Sequence, residues 1–488
     1  MSLAGRVVQA GVWVFAVRIA QKIFNLIRLI VLARLLAPQD FGVFGIALLT
    51  MSAMETLSIT GFQQALIQKK EDIYPFLNSA WTLLVLRGMV LFSLLYLFAP
   101  AIAALFNTPA AKQIIQVIGF SILLQAFTNI GIIYFSKELE FKKQFIYQLS
   151  AAFADFVIAV SAAVVFRNAW ALVFGVLARE GAGVIASYCL HSYRPRIDFN
   201  LEKIRKLFQY GKWVLGSSIL GFFNAQGDDL VVGKLLGATA LGFYQMAYKI
   251  SNLPAIEITH VISQVMLPAY AKLQDRAADL KTAYFKALRI TAFLSFPFGG
   301  MILMLAADFT RMFLGVKWMP MVLAMQILVL WGWVRSIGAT CGPLFYGVGK
   351  PQILTKIQTV QLILLAVLIF PFTTQGGIAG TAIAVVLATF IPNIVVWYKA
   401  AKVVREDFCV FIRMLVIPLV NVIISILLTL ALKQYFVRGL DLLVFMLQGV
   451  IFVLFYSMLA FAAEKVFNYG MWDIVQEIRK RLATGRQG

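Results

Sequence analysis

Apolar runs of membrane-spanning length recur along this chain, and the polar connections between them are short. A bilayer core needs about 20 apolar residues per helix. On that measure the pattern predicts fourteen spans. They lie at 11–36, 41–66, 76–104, 113–136, 146–166, 169–191, 211–233, 240–262, 287–307, 321–346, 354–374, 377–398, 412–432 and 442–463. No stretch reads as an independent soluble domain. The first span begins too near the N-terminus to follow a cleaved leader and is expected to be retained.

The pattern repeats with an offset of 200. Gly11-Val12-Trp13-Val14 matches Gly211-Lys212-Trp213-Val214, and Val31, Leu35, Leu36 and Gly42 match Val231, Leu235, Leu236 and Gly242. Six spans separate the copies, so both start on the same membrane side. That is a parallel repeat about an axis along the membrane normal. The fold class expected is all-α: about 14 transmembrane helices in two pseudo-symmetric six-helix lobes plus a C-terminal helix pair. The divisions are 1–200 for the N-terminal lobe, 201–411 for the C-terminal lobe, 412–463 for the helix pair and 464–488 for a basic tail.

Composition agrees: of 488 residues 61% are hydrophobic and 13% charged, with mean hydropathy +0.85. The net charge of +21 first suggests nucleic acid, but its placement argues against that. External connections hold only Arg34, Lys112, Arg167, Lys234, Arg311, Lys317, Lys433 and Arg438. The opposite side holds most of the rest, including Lys69, Lys70, Lys142, Lys143, Arg194, Arg196 and Arg479-Lys480-Arg481. This is the positive-inside signature, which places both termini in the cytoplasm. Three cysteines at internal span ends or loops give no disulfide framework. Two histidines make no metal cluster, and no P-loop, His-Glu-x-x-His or Gly-x-Ser-x-Gly pattern is present.

The candidate chemistry is charge inside the membrane. Arg18, Lys22, Asn25 and Arg28 fall on one arc of about 120° of the first span. A cation at the bilayer centre costs about 2.5–3.5 kcal/mol, so such residues face a bundle interior or a watery cavity. Arg and Lys together suit a diphosphate: Arg supplies paired donors, Lys a point charge. Pairing with a membrane acid such as Glu55 or Asp155 is the structural alternative. Lys249, Arg87 and Arg335 are further intramembrane cations. The second copy differs: Arg28 corresponds to Asp228, and Asp229 follows. Asn224 and Asp228 share a stripe of the seventh span. One of the two aspartates is expected to ligate sodium or carry a proton, with oxygens from Thr381, Thr389 or Asn393.

Leu32-Ala33-Arg34-Leu35-Leu36-Ala37-Pro38-Gln39-Asp40-Phe41-Gly42, Gly315-Val316-Lys317-Trp318 and Gly347-Val348-Gly349-Lys350 resemble Wzx-type polysaccharide flippases. These belong to the multidrug/oligosaccharidyl-lipid/polysaccharide exporter superfamily, and the resemblance covers essentially the whole chain. It implies a non-enzymatic transporter of the bacterial cytoplasmic membrane. Its cargo would be undecaprenyl-diphosphate-linked oligosaccharide units, moved by alternating access for O-antigen, capsule or exopolysaccharide synthesis. Coupling to Na+ or H+ and contact with other polysaccharide assembly proteins go with that expectation. Related lipid II flippases use a basic residue just before a Leu-Pro in the eighth span and a sodium-binding aspartate 20 positions earlier; Lys249 and Asp229 match. They also use an Arg-Asp pair in the first span, and here no acid follows Arg18, Lys22 or Arg28. A multidrug/cation antiporter of the same fold is the nearest alternative, and a polysaccharide polymerase or ligase a more distant one. Cationic drugs call for acids where this first lobe shows bases, and a polymerase calls for a larger external loop.

Overall fold

A computed structural model describes residues 20–58, 74–138, 140–199, 201–436, 442–467, 469–472, 474 and 476. The described residues are helical, without strands. The chain divides into two compact units, Met1–Gln245 and Met246–Gly488.

The first unit contains α1 (20–35), α2 (Pro38–Leu57), α3 (Tyr74–Leu105), α4 (Ala111–Ala126), α5 (Ile133–Lys137), α6 (Phe141–Phe166) and α7 (Trp170–Leu190). It ends within α8 (Leu201–Leu273). α6 and α7 form a hairpin, α4 packs on α3 and α7, and α2 packs on α4. The second unit contains the rest of α8, then α9 (Ala277–Phe309), α10 (Val322–Gly347), α11 (Gln352–Val403), α12 (Phe408–Phe436) and α13 (Leu442–Phe467). α9 lies at its centre, against α10, α12 and α13. Tyr284, Phe345, Trp397, Phe411 and Phe452 fill its core. Ten described helices are long and apolar enough to cross a membrane. Their outward faces are apolar, as Leu443, Val466 and Leu427 show; in a bilayer the solvent for that face is lipid.

Two predicted pairs of spans are indeed separate helices, each pair joined by a kink with hardly any loop between its members. The seventh and eighth join in α8 across Gly237 (φ 82°, ψ 177°), and the eleventh and twelfth join in α11 across Gly377 (φ 57°, ψ −141°). Positive φ at these bends favours glycine. The fourth span was expected to run unbroken over 113–136. Instead α4 stops at Ala126, and a 3₁₀ turn, Ile130–Ile132, follows. Asn129 explains the break: its side-chain oxygen accepts from Gly131 N at 2.9 Å, and its amide donates to the Tyr193 carbonyl at 2.7 Å. A side chain that satisfies turn backbone competes with helix continuation.

The repeat is visible as a contact inside the first unit. A Cβ on Gly42 would overlap the Ala238 carbonyl oxygen, and a Cβ on Gly242 would overlap the Pro38 carbonyl oxygen. Residue 42 meets 238 as 242 meets 38, the reciprocity that a pseudo-twofold axis imposes. Small residues allow this backbone approach in membranes, where apolar burial gives helices little reason to associate.

The segment 191–199 is strapped to the ends of α3 and α7. Tyr193 donates its hydroxyl to Asn78 Oδ1 (2.6 Å), Ser79 donates to Asp198 Oδ2 (2.5 Å), and Asp198 N donates to Thr82 Oγ1 (2.9 Å). Burial pushes the Tyr193 phenol up to about 12. His191 Nδ1 accepts from Tyr193 N at 3.0 Å, which requires the neutral imidazole. Burial, then the nearby Lys143 charge, holds His191 below the ordinary histidine range. The unfolded chain therefore takes up this proton first, and stability is lost as pH falls from the ordinary histidine pKa through the lower folded one. Thermal unfolding at pH 7.5 and 5 should show a larger loss in wild type than in His191→Gln; equal losses would dismiss this reading.

Candidate functional site

The first unit gathers charge at mid-helix. Arg28 on α1 pairs with Asp155 on α6, Nη2 to Oδ1 at 2.9 Å. Gly175 on α7 leaves room for the pair: a Cβ there would stand 2.5 Å from Asp155 Oδ1 and 3.2 Å from Arg28 Nη2. On α7, Arg179 approaches Glu180 at 3.9 Å. Glu180 interacts electrostatically with Glu55 and Asp155 as well as Arg179. Arg87 on α3 donates Nε to Ser58 Oγ (3.0 Å) and Nη2 to the Glu55 carbonyl (3.1 Å). Three bases and three acids thus form one cluster across α1, α2, α3, α6 and α7.

This changes the picture of a purely basic first lobe. Its acids come from other helices than the first, so the Arg-Asp pair missing along α1 is restored in space by Asp155. Arg28 sits beside a carboxylate, and an incoming phosphate would have to compete for it. Lys22 and Asn25 are exposed on the same helix; Arg18 lies outside the described residues.

α8 carries the acidic pair. Asp228 is buried (4% exposed) and its Oδ2 accepts from the Tyr244 hydroxyl at 2.6 Å. Asp229 Oδ2 accepts from Gln245 Nε2 at 3.1 Å. Both partners lie 16 positions on, across the Gly237 bend, so the bend folds the helix back onto its own aspartates. Sequence reasoning missed both partners, because their spacing has meaning only once the reversal at Gly237 is known. Gly45 of α2 makes room for Gln245, and Gln226 donates to Ser52 Oγ at 3.1 Å. Asn224 donates to the Leu220 carbonyl at 3.0 Å.

The other predicted residues belong to the second unit. Lys249 and Arg335 are exposed. The Arg335 guanidinium covers the Trp331 ring at 5.1 Å, and Tyr248 packs on that ring at 5.0 Å. The turn bearing Lys249 and the turn bearing Arg335 are thereby neighbours. Thr381 bonds to Thr373 Oγ1 (2.9 Å) and the Gly377 carbonyl (3.1 Å). Thr389 donates to the Val385 carbonyl (2.8 Å), and Asn393 donates to the Thr389 carbonyl (2.8 Å). These hydrogen bonds all stay within α11. Among the described residues, no group of three or more His, Cys, Asp or Glu could hold a metal ion.

A family described as Polysaccharide biosynthesis protein matches residues 31–323. The chain belongs to that family. It is 25% identical over 404 residues to the lipopolysaccharide biosynthesis protein WzxC of Escherichia coli (strain K12), covering 82% of each chain. It is 23% identical over 405 residues to the succinoglycan biosynthesis transport protein ExoT of Rhizobium meliloti (strain 1021), covering 83% of this chain and 81% of the relative. Among solved structures, the lipid II flippase MurJ in an inward closed conformation superposes with TM-score 0.75 at 16% identity. That match covers 94% of this chain and 99% of MurJ. An inward-facing multidrug resistance MATE transporter gives TM-score 0.62 at 16% identity, covering 79% and 94%. The fold is therefore the one these two polytopic helical transporters share, and this family member is a multi-pass membrane protein.

Proposed function

We propose that this protein is a flippase that moves polyprenyl-diphosphate-linked oligosaccharide units across the bacterial cytoplasmic membrane by alternating access, without making or breaking covalent bonds. The observation that carries the reading is the set of mid-helix cations, Arg28, Lys249 and Arg335 foremost, in a fold shared with a lipid II flippase. Named relatives in polysaccharide biosynthesis, WzxC and ExoT, support the cargo class. Within the first unit, Arg28 would exchange Asp155 for phosphate oxygens; within the second, Lys249 and Arg335 would meet an anionic headgroup from exposed positions. The termini would be cytoplasmic.

A monovalent cation, Na+ or H+, would reset the cycle at Asp228 and Asp229. The donor set fits one: among the described residues each carboxylate receives one side-chain hydrogen bond, and a carboxylate has acceptor capacity beyond that. Hard cations take oxygen ligands of this kind. The multidrug alternative is weakened because acids in the first-unit cluster are matched by bases.

The test is translocation of a labelled polyprenyl-diphosphate sugar by purified protein in liposomes. Lys249→Ala with Arg335→Ala should slow it at least about tenfold, since a hydrogen bond to a charged group contributes about 1.5–3 kcal/mol. Protein abundance should hold, because both side chains are exposed. An unchanged rate in the double variant, or transport of a cationic dye in its place, would sink the reading.

A further inference from the structure

The second unit holds a pocket of about 310 Å³ at one end of α9, α12 and α13. Its α9 wall is basic: Lys281, Lys286 and Arg289 share an arc of about 140°. Glu406, which pairs with Lys281, is the acid lining it. The hydrogen bond from Lys281 holds Glu406 below the usual carboxylate range. The opposite wall is apolar, with Val410 and Met414 of α12.

The Arg289 side is built in detail. Its Nε lies 3.3 Å from Met414 Sδ, and its guanidinium covers the Tyr469 ring at 6.0 Å. Tyr469 donates its hydroxyl to the Met414 carbonyl at 2.9 Å. Gly470 follows with φ 80°, and a Cβ there would overlap Arg289 Nη1. Glu464 pins that turn by accepting from Gly470 N and Met471 N, each at 3.0 Å. This neighbouring carboxylate is thereby turned toward backbone donors. Only a residue without a side chain, in a left-handed conformation, lets the guanidinium occupy this wall.

The pocket also sits at a change of polarity. α9 is charged up to Arg289 and apolar from Ile290 until Asp308 at its far end, and α13 first carries charge at Glu464 and Lys465. A half-basic, half-apolar pocket at that level matches a lipid headgroup, with phosphate on the cations and glycerol or chain carbons on the apolar wall. Basic pockets between transmembrane helices on the cytoplasmic side hold such headgroups, and the positive-inside pattern places this end there. We propose that this pocket binds the phosphate-bearing headgroup of an inner-leaflet membrane lipid. The phosphate could be the diester of an anionic phospholipid or the diphosphate of a polyprenyl carrier; the cations recognise what the two share. This site is distinct from the charge cluster of the first unit and does not depend on the transport reading.

The test is thermal unfolding of the detergent-purified full chain titrated with phosphatidylglycerol, phosphatidylcholine or undecaprenyl diphosphate. At least one of the two anionic lipids should raise the unfolding midpoint where phosphatidylcholine does not, and which one does so names the source. Lys286→Gln with Arg289→Gln should weaken the response at least about tenfold in lipid concentration. If that pair unfolds, Lys286→Gln alone is compared with the charge-preserving Lys286→Arg, which should respond as wild type. The proposal is overturned if no anionic lipid exceeds phosphatidylcholine. It is equally overturned if neutralised variants respond as wild type does. Because the readout is binding, its failure and a failure of transport are separate results.

Discussion

Gly42→Val and Gly242→Val should each leave almost no folded protein in the membrane. Either side chain would be driven into a carbonyl oxygen, of Ala238 in one case and Pro38 in the other. Backbone cannot rotate aside as a flexible side chain can. Overpacking a core costs about 1–3 kcal/mol when side chains can adjust. Here the helices themselves must part, which would also loosen Gln226 from Ser52 and Gln245 from its slot beside Gly45. The loss should exceed that range and consume much of a stability of about 5–15 kcal/mol. The reciprocity adds a sharper expectation, namely that the two variants are equally damaging. Gly221→Ala is the control, since a Cβ there meets nothing within 4 Å and alanine favours helix. Monodisperse yield in detergent and the unfolding midpoint measure all three. Normal yield of either valine variant would show that the close contact is dispensable.

Asp155→Leu should be more harmful to the folded protein than Arg28→Met combined with Asp155→Leu. The single change removes the carboxylate from a largely buried guanidinium, and breaking one side of a buried pair costs about 3–5 kcal/mol. Replacing both sides with apolar groups of similar volume is often neutral or stabilising. The unfolding midpoint should therefore fall sharply in the single variant and recover in the double. Translocation should stay lost in the double if Arg28 also meets the substrate's phosphate. Recovery of both stability and translocation would reduce Arg28 to a structural residue. The two measurements separate roles that the 2.9 Å distance alone leaves joined.

Much of the helix layout follows from hydropathy alone, because a run that must cross lipid can be little else. The predicted tenth span, 321–346, stands one residue from α10, and the third, 76–104, stands within two of α3. Breaks within apolar sequence were harder to read. Gly237 and Gly377 part the separately expected spans by a kink with hardly any loop, and Asn129 ends a helix inside an apolar run, because these outcomes depend on partners elsewhere. Site residues show the same limit. That Arg28 is intramembrane is a local fact; that Asp155 answers it, 127 positions on and from another helix, is a tertiary one. The intervals joining Asp228 to Tyr244 and Asp229 to Gln245 were short enough to notice, but only a helix known to fold back at Gly237 gives them meaning.

The mutual contact of Gly42 and Gly242 also bears on ancestry. When position 42 touches 238 and 242 touches 38, one half of the chain treats the other as a second copy of itself. A half-length forerunner carrying one such glycine would have met its twin through this same patch, in the isologous manner of a symmetric homodimer. Fusion of two such copies would free most positions to specialise, as the opposite charges of Arg28 and Asp228 illustrate. It would not free the glycines, because each packs against backbone of the other repeat.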